Sequence, residues 1–253
     1  FGVSVTSIIR WFDNLNYPHP KLPECIAIDE LRGNAGGEKF QCNIADPVKH
    51  QVIDILPSRN TENLCKHFLE YPYKERAAVK KIVMDLSTLF RSVAKTMFPE
   101  AKIVADKFHV IRVVINSLEN VRKRIQKEFH ATKRKWFKRS RYLLLKPEYK
   151  LTSEDKTELA RMLNSSYDLE KAYVLKERFY EVFRKQTRTE AKKELGKWLL
   201  LAADLSLPEF QHCITTFSNW KTEIANIIGE RVSNGFIEGS NNKIKVLKRI
   251  SYG

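Results

Sequence analysis

Little in this sequence supplies a covalent or metal staple. Of 253 residues four are cysteine, Cys25, Cys42, Cys65 and Cys213. They form no CxxC pair and have no histidine at zinc-site spacing, so they read as reduced thiols and exclude a disulfide scaffold or a zinc-ribbon module. No apolar run approaches the roughly 18 residues that span a bilayer, and no signal peptide precedes the first strand pattern, so a soluble cytoplasmic protein with no membrane partner is expected. Internal repeats and low-complexity tracts are missing too, which excludes solenoids and disordered tails. Acid is also in short supply: 30 Asp and Glu face 45 Lys and Arg, for a net charge of +15. That balance disfavours acidic small molecules and favours a polyanion such as nucleic acid, although membrane-surface and ribosomal proteins share it.

What is present is enough apolar material, 43 % of the chain, to bury a full core. The first residue is not Met and the last three are Ser-Tyr-Gly, so both ends read as cut and the chain as a piece of a longer protein. Three textures follow one another. Residues 1–23 hold "FGVSVTSIIRWF", the expected tail of a small helical unit, and the proline-broken linker "NYPHPKLP". Residues 24–110 alternate strand and helix patterns, residues 111–216 are expected to be helical throughout, and residues 217–253 close the chain.

In the second of these regions "ECIAIDEL", "KFQCNIAD" and "HQVIDILP" are β-rich runs separated by Gly- and Pro-bearing turns, which predicts an antiparallel meander. A helix over Thr61–Tyr71, the strand-like "KIVMD", a helix over Ser87–Met97 and the strand-like "AKIVAD" come next. Three strands, helix, strand, helix, strand, helix is the order of the ribonuclease-H-like α/β fold: a mixed sheet of a three-strand meander plus two further strands. Function has to come from the site and not from that fold.

The helical region carries apolar residues at helical spacing: Leu118, Val121, Ile125 and Phe129, then Tyr173, Val174, Phe179, Tyr180 and Phe183. It also carries the densest charge. In residues 121–141, "VRKRIQKEFHATKRKWFKRSR", ten of 21 side chains are Lys or Arg and one is acidic. A solvated helical face would explain such a run. With Trp136 and Phe137 set among Arg122, Lys123, Arg124, Lys133, Arg134, Lys135, Lys138 and Arg139, a surface that tracks phosphates is the reading preferred here.

Three acids close strand patterns: Asp29 in "ECIAID", Asp85 in "KIVMD" and Asp106 in "AKIVAD". An Asp in that position is most simply a strand terminus or a helix N-cap. In a ribonuclease-H-like sheet, however, the first and fourth strands are neighbours about 4.8 Å apart. Asp29 and Asp85 would then meet, and two such carboxylates stay ionised only around a cation. Oxygen ligands with room for water and phosphate select Mg²⁺ or Mn²⁺. Asp106, one strand further out, is a weaker ligand for the same ion.

A third acid stands in "SNGFIEGSNNKIKVLKR". If this segment is helical from about Ser233, Ile237, Ile244 and Leu247 share one face. Glu238, Asn242, Lys245 and Arg249 follow each other on another. A single Glu on a helix is usually solvated; packing of this helix across the strand ends would instead bring Glu238 to the two aspartates.

Three blocks together, "AIDELRGNAGGEKFQCNIADPVKHQVIDILPSRN", "VMDLSTLFRSVAKTMFPEAKIVADKFHVIR" and "VSNGFIEGSNNKIKVLKRISYG", resemble the DDE transposases of bacterial insertion sequences of the ISL-three family. The resemblance covers about Glu24–His109 and Phe217–Gly253, and the stretch between is similar in character. It implies that Asp29, Asp85 and Glu238 are the catalytic, metal-binding acids, with two Mg²⁺ or Mn²⁺ ions per site. Asp106 and His109 in "ADKFH" resemble the C/D-x-x-H motif that follows the second acid in related transposases. A packed or capping role is the ordinary explanation of such a His; a role behind the ligands or in positioning DNA is preferred for the pair. The helical region resembles the all-α insertion domain of such enzymes, and residues 1–23 the remnant of a helix-turn-helix and linker.

The resemblance further implies metal-dependent cleavage of transposon ends and strand transfer into target DNA by an assembly at least dimeric, in the bacterial nucleoid. Lys243, Lys245, Lys248 and Arg249 would hold phosphates, and Asn241 and Asn242 phosphate or base edges. A divalent-metal nuclease of the same fold without strand transfer, or an inactive transposase-derived DNA-binding protein, are the alternatives.

Overall fold

A computed structural model describes residues 4, 6, 7, 10, 19–33, 37–230 and 232–250. The expected helix-turn-helix remnant lies for the most part outside the described residues, as do the last three residues. The fold is α/β, a ribonuclease-H-like mixed sheet followed by a helical region.

Strands β1 (Cys25–Arg32), β2 (Phe40–Asp46) and β3 (Gln51–Leu56) form the antiparallel meander; β4 (Lys81–Met84) and β5 (Lys102–Ala105) add in parallel on the other side of β1, giving the order β3-β2-β1-β4-β5. The β2–β3 turn is built by Asp46, whose Oδ1 accepts the N–H groups of Val48 and Lys49, and closes with His50 in the left-handed region at φ 56°. Asx side chains make such turns by substituting for a backbone acceptor.

Helices α1 (Thr61–Leu69), α2 (Tyr73–Ala78) and α3 (Thr88–Met97) connect the strands. The short α2 was not expected from the sequence: at six residues it buries no side chain, so it leaves no apolar period. Asn60 and Ser87 cap α1 and α3 with their side-chain oxygens. The cap of α3 is thus Ser87, two residues past Asp85, and Asp85 is released from that duty.

Strand alternation assigns the two faces of β1. Ile26 and Ile28 join Leu64, Phe68, Phe90 and Val93 in the main core under α1 and α3. Ala27 faces the other way, beside its register partner Ala45, and the two pack with Ile237 in a separate small cluster. Two methyl side chains side by side leave a shallow bed in which a helix can lie close to the sheet. That helix is α12 (Gly235–Ile250); its Phe236 ring stacks on His50 at 5.3 Å.

From β5 the chain runs without a break into α4 (Lys107–Ile125), capped by Asp106. Then follow α5 (Ala131–Arg139), α6 (Arg141–Leu145), α7 (Ser153–Leu163), α8 (Tyr167–Tyr180), α9 (Arg188–Asp204), α10 (Gln211–Asn219) and α11 (Lys221–Ala225). Capping boxes at Thr152/Asp155 and Thr187/Glu190 start α7 and α9. Leu118, Val121 and Ile125 are buried as their spacing predicts, with Phe129 half-buried against Phe137. Val174, expected inside, is instead exposed, and the buried stripe of α8 is Leu169, Ala172, Tyr173, Leu175 and Phe179. Among the described residues no helix is long and apolar enough to cross a membrane.

Candidate active site

The register brings the strand acids to one line. Ile28 pairs with Met84 and Met84 with Ala105, so Asp29, Asp85 and Asp106, each one residue further on, fall level on three neighbouring strands about 4.8 Å apart. Asp29 does not close its strand as expected. It sits inside β1, because the hairpin with β2 continues to the Arg32↔Phe40 pair after the β4 pairing has ended.

The three carboxylates meet different environments. Asp29 is 8 % exposed; burial, and then the neighbouring charge of Asp85, raise its pKa to about 6. Its Oδ1 accepts the Glu30 N–H at 2.8 Å and its Oδ2 the Asn241 side-chain amide at 2.9 Å. Burial likewise raises Asp85, partly offset by the nearby charges of His109 and Arg59. Asp85 Oδ1 is buried with no protein partner. At Asp106 burial raises the pKa, but hydrogen bonds from His109 and from the Asn234 backbone outweigh it and the carboxyl ends below its ordinary range. Asp106 Oδ2 accepts the His109 N–H at 3.2 Å and faces His109 Nδ1 at 2.9 Å, while Oδ1 accepts the Asn234 N–H at 3.2 Å. The bond to Asp106 raises the pKa of His109. Asp106 is therefore a fully engaged cap and clamp, with its oxygens committed to α4 and to the approach to α12.

Helix α12 is pinned across this edge by two buried asparagines. Asn234, just before its first turn, bonds Asp106 through its backbone N–H and the Ile28 carbonyl through its side chain at 3.4 Å. Asn241, two turns on, donates to Asp29 and accepts from Asn43 at 2.8 Å. At about 100° per residue, Glu238 falls about 40° around the helix from Asn234 and about 60° from Asn241. It lies between the residues that touch the two outer acids, on the exposed flank of the packed face. The packed face itself is Asn234, Ile237 and Asn241, not Ile237, Ile244 and Leu247: Leu247 is half exposed because the sheet ends before the helix does.

Asp29 and Asp85 have the chemistry of a divalent-cation site: a buried and a half-buried carboxylate, both raised by desolvation, with one oxygen left unpartnered. Glu238, the third acid expected here, is exposed on α12. Among the described residues, His19, His67 and Glu70 are the trio of ligand-type side chains whose donor atoms all lie within 4.8 Å of one another, so the three acids are not closed around a single point. A two-ion site, with ions about 3.5–4 Å apart, does not require that closure.

The residues expected on DNA divide into two groups. Lys123, Lys133, Arg134, Lys135, Lys138, Arg139, Asn242, Lys243, Lys245 and Arg249 are exposed. Arg122 is 3 % exposed and closes on Glu119 and Gln126. Arg124 pairs with Glu209 and Asp168, and Lys248 is half-buried with its Nζ near Gly33 at the end of β1. Asn241 is 3 % exposed and spends its amide inside the protein. Arg122 and Asn241 are thus buried and turned to protein partners. Sequence reasoning missed Asn43 and Asn234. The signal for Asn43 was present: an Asn inside an apolar strand, at the hairpin position opposite Asp29.

Comparison with known proteins places the chain in a family. A model of the DDE transposases of the ISL-three type, described simply as transposase, matches residues 26–253. The chain belongs to this family. It is 26 % identical over 234 residues to the transposase for insertion sequence element IS1001 of Bordetella parapertussis, covering 91 % of this chain and 57 % of that protein. It is 28 % identical over 251 residues to the transposase for insertion sequence element IS1557 of Mycobacterium tuberculosis, covering 90 % and 56 %. The chain thus spans little more than half the length of these relatives. No solved structure matches it. The family match runs through the helical region without interruption, where the sequence motifs alone were weakest.

Proposed function

We propose that this chain is the catalytic portion of an insertion-sequence transposase that cuts transposon ends and joins them to target DNA, with Asp29, Asp85 and Glu238 as its metal-binding acids. The observation that carries this reading is the level placement of Asp29 and Asp85 on adjacent strands, with α12, the helix that bears Glu238, anchored to Asp29 through Asn241. Residues 24–110 and 217–253 would form the catalytic core and residues 111–216 an α-helical insertion.

Two Mg²⁺ or Mn²⁺ ions, when bound, would activate the attacking oxygen and stabilise the leaving oxygen of a phosphodiester. The remaining work falls to the chain. Asn241 fixes Asp29 Oδ2, and the Glu30 N–H fixes Oδ1, so the carboxylate is held in one orientation before any cation arrives. Asp85 keeps a free oxygen toward the same edge. His109, anchored by Asp106 and carrying a raised pKa, stands beside Asp85 as a donor for a phosphate oxygen. Lys243, Lys245 and Arg249, exposed on α12, would hold neighbouring phosphates, and the exposed cations of α5 the flanking duplex. Water and then a DNA 3′-hydroxyl serve as nucleophiles, so no Ser, Tyr or Cys is required. Synapsis of two ends calls for at least a dimer.

Incubation of the chain with pre-cut end DNA, target DNA and Mg²⁺ or Mn²⁺ tests the proposal. Joined products are expected, lost on chelation and in each of Asp29→Ala, Asp85→Ala and Glu238→Ala. Cleavage without joining would make the chain a nuclease, and full activity in any of the three variants would remove that residue from the site.

A further inference from the structure

On the sheet face opposite α12, the linker before β1 meets the end of α1. His19 Nε2 lies 2.7 Å from Glu70 Oε2. His67, one turn before Glu70, is 6 % exposed; its Nδ1 faces Asp54 Oδ2 at 3.6 Å, and its Nε2 is buried with no partner. One donor atom from each of His19, His67 and Glu70 lies within 4.8 Å of the others. The rings of His19 and His67 stand 5.6 Å apart and both flank Tyr71, whose hydroxyl is also buried and unpartnered.

We infer that His19, His67 and Glu70 form a second metal site, separate from the acids, for a zinc-type divalent ion. An ion pair between His19 and Glu70 beside a packed histidine accounts for the 2.7 Å contact but strands His67 Nε2, and a buried unpaired polar atom costs about 1–3 kcal/mol. A cation satisfies that nitrogen and turns both members of the pair into ligands. Two imidazoles and one carboxylate are the donor set of zinc rather than of Mg²⁺. With bonds of about 2.0–2.1 Å, tetrahedral ligands sit about 3.4 Å apart, so the His19–Glu70 contact opens by less than an ångström. Asp54, 3.6 Å from His67 Nδ1, stands where the carboxylate of a carboxylate–histidine–metal relay would be and would close to hydrogen-bond distance on binding.

The ion would act as a clasp. Leu22 is already buried and donates its N–H to Glu75 Oε1 at 2.6 Å; fixing His19 extends the anchored part of the linker by one more turn of chain. Sequence spacing gave no hint, because two of the ligands stand 48 residues apart and neither belongs to a cysteine motif.

The test is a Co²⁺ and Zn²⁺ titration of the chelator-stripped chain. One equivalent of Co²⁺ is expected to give the visible bands of a four- or five-coordinate ion without a thiolate charge-transfer band, and Zn²⁺ is expected to displace it and to raise the melting temperature. His19→Ala and Glu70→Gln, both at exposed positions, should abolish the bands and the Zn²⁺-induced shift, and Asp54→Asn should weaken binding by about 10–100-fold. An Asp29→Asn/Asp85→Asn variant should retain the site. Absence of stoichiometric Co²⁺, a thiolate band, or binding that survives His19→Ala but not the aspartate variant would overturn the inference.

Discussion

Asn241 donates its side-chain amide to Asp29 Oδ2 across 2.9 Å, joining two residues 212 positions apart. The same amide group accepts from Asn43, so a strand of the hairpin, the carboxylate and the last helix form one buried polar chain. Such chains stabilise when every member is satisfied and cost heavily when one is removed.

Asn241→Leu, which deletes the side chain's bonds to Asp29, to the Glu30 carbonyl and from Asn43, is therefore expected to cost about 1–3 kcal/mol of stability. It should also lower DNA joining more than DNA binding, since it frees Asp29 and loosens the anchor of Glu238. Denaturant unfolding and a joining assay, run on the same preparation, check this; an Asn241→Leu protein with native joining would show that the asparagine does not position the acid. Asn43→Ala should give a smaller loss, and the double variant less than the sum, because the two side chains share one bond.

The raised pKa values predict a stability profile with a definite sign. Asp29 and Asp85 titrate above their unfolded values, so the folded state takes up protons there. The stability they allow is present at low pH and lost as pH rises, for Asp29 between its ordinary 3.8 and about 6. His109, raised by Asp106, acts in the same direction across neutral pH. For Asp29 alone, a shift from 3.8 to about 6 corresponds to about 3 kcal/mol at 1.36 kcal/mol per unit. Without divalent ions the melting temperature should fall from about pH 4 upward, with the Asp29 share lost by about pH 6, and Mg²⁺ should recover it at the upper end. Asp85→Asn should flatten the profile and stabilise the metal-free chain while abolishing joining. A melting temperature independent of pH and of Mg²⁺ would contradict the placement of two ionisable acids at this edge.

Much of this arrangement was legible in the sequence, and the illegible part has a physical cause. Short β-rich and apolar runs between turn residues marked the five strands, and helical spacing marked α4. The face of α12 was misjudged because its buried positions are asparagines. Hydrophobic periodicity scores them as solvent, whereas here Asn234 and Asn241 are the deepest residues after Ile237. The burial of Arg122 was equally illegible: Glu119, one turn earlier, pairs with it, and a charge count does not register local pairing. Which Asp was a cap and which was free could be decided only by the loop lengths: Ser87 caps α3, while Asp106 has no later substitute before α4.

The alanine bed under α12 gives a test that touches no polar group. Ala27 and Ala45 are fully buried against Ile237, and added methyl groups there overpack the contact. Ala27→Val or Ala45→Val is expected to cost about 1–3 kcal/mol and to reduce joining more than binding, by moving Glu238 away from the aspartates. Ala27→Gly or Ala45→Gly adds no volume to the contact and should leave joining nearer normal than the Val variants do.

The division of the basic residues makes a prediction about salt. Each cation that neutralises a phosphate contributes about 0.9 to the slope of log affinity against log salt. Lys133, Arg134, Lys135 and Lys138 on α5 are exposed, and Lys133 also lies over the Phe129 ring at 4.0 Å. Replacing Arg134, Lys135 and Lys138 by Gln should weaken binding uniformly across DNA sequences and reduce the slope by roughly one unit for each true contact. Arg122→Gln should behave in the opposite way. It leaves Glu119 buried without its cation, which destabilises the helical region by several kcal/mol while the slope measured on the folded fraction stays unchanged. An Arg122 variant that folds normally but loses salt-dependent affinity would return that arginine to the DNA surface and reverse its assignment to the interior.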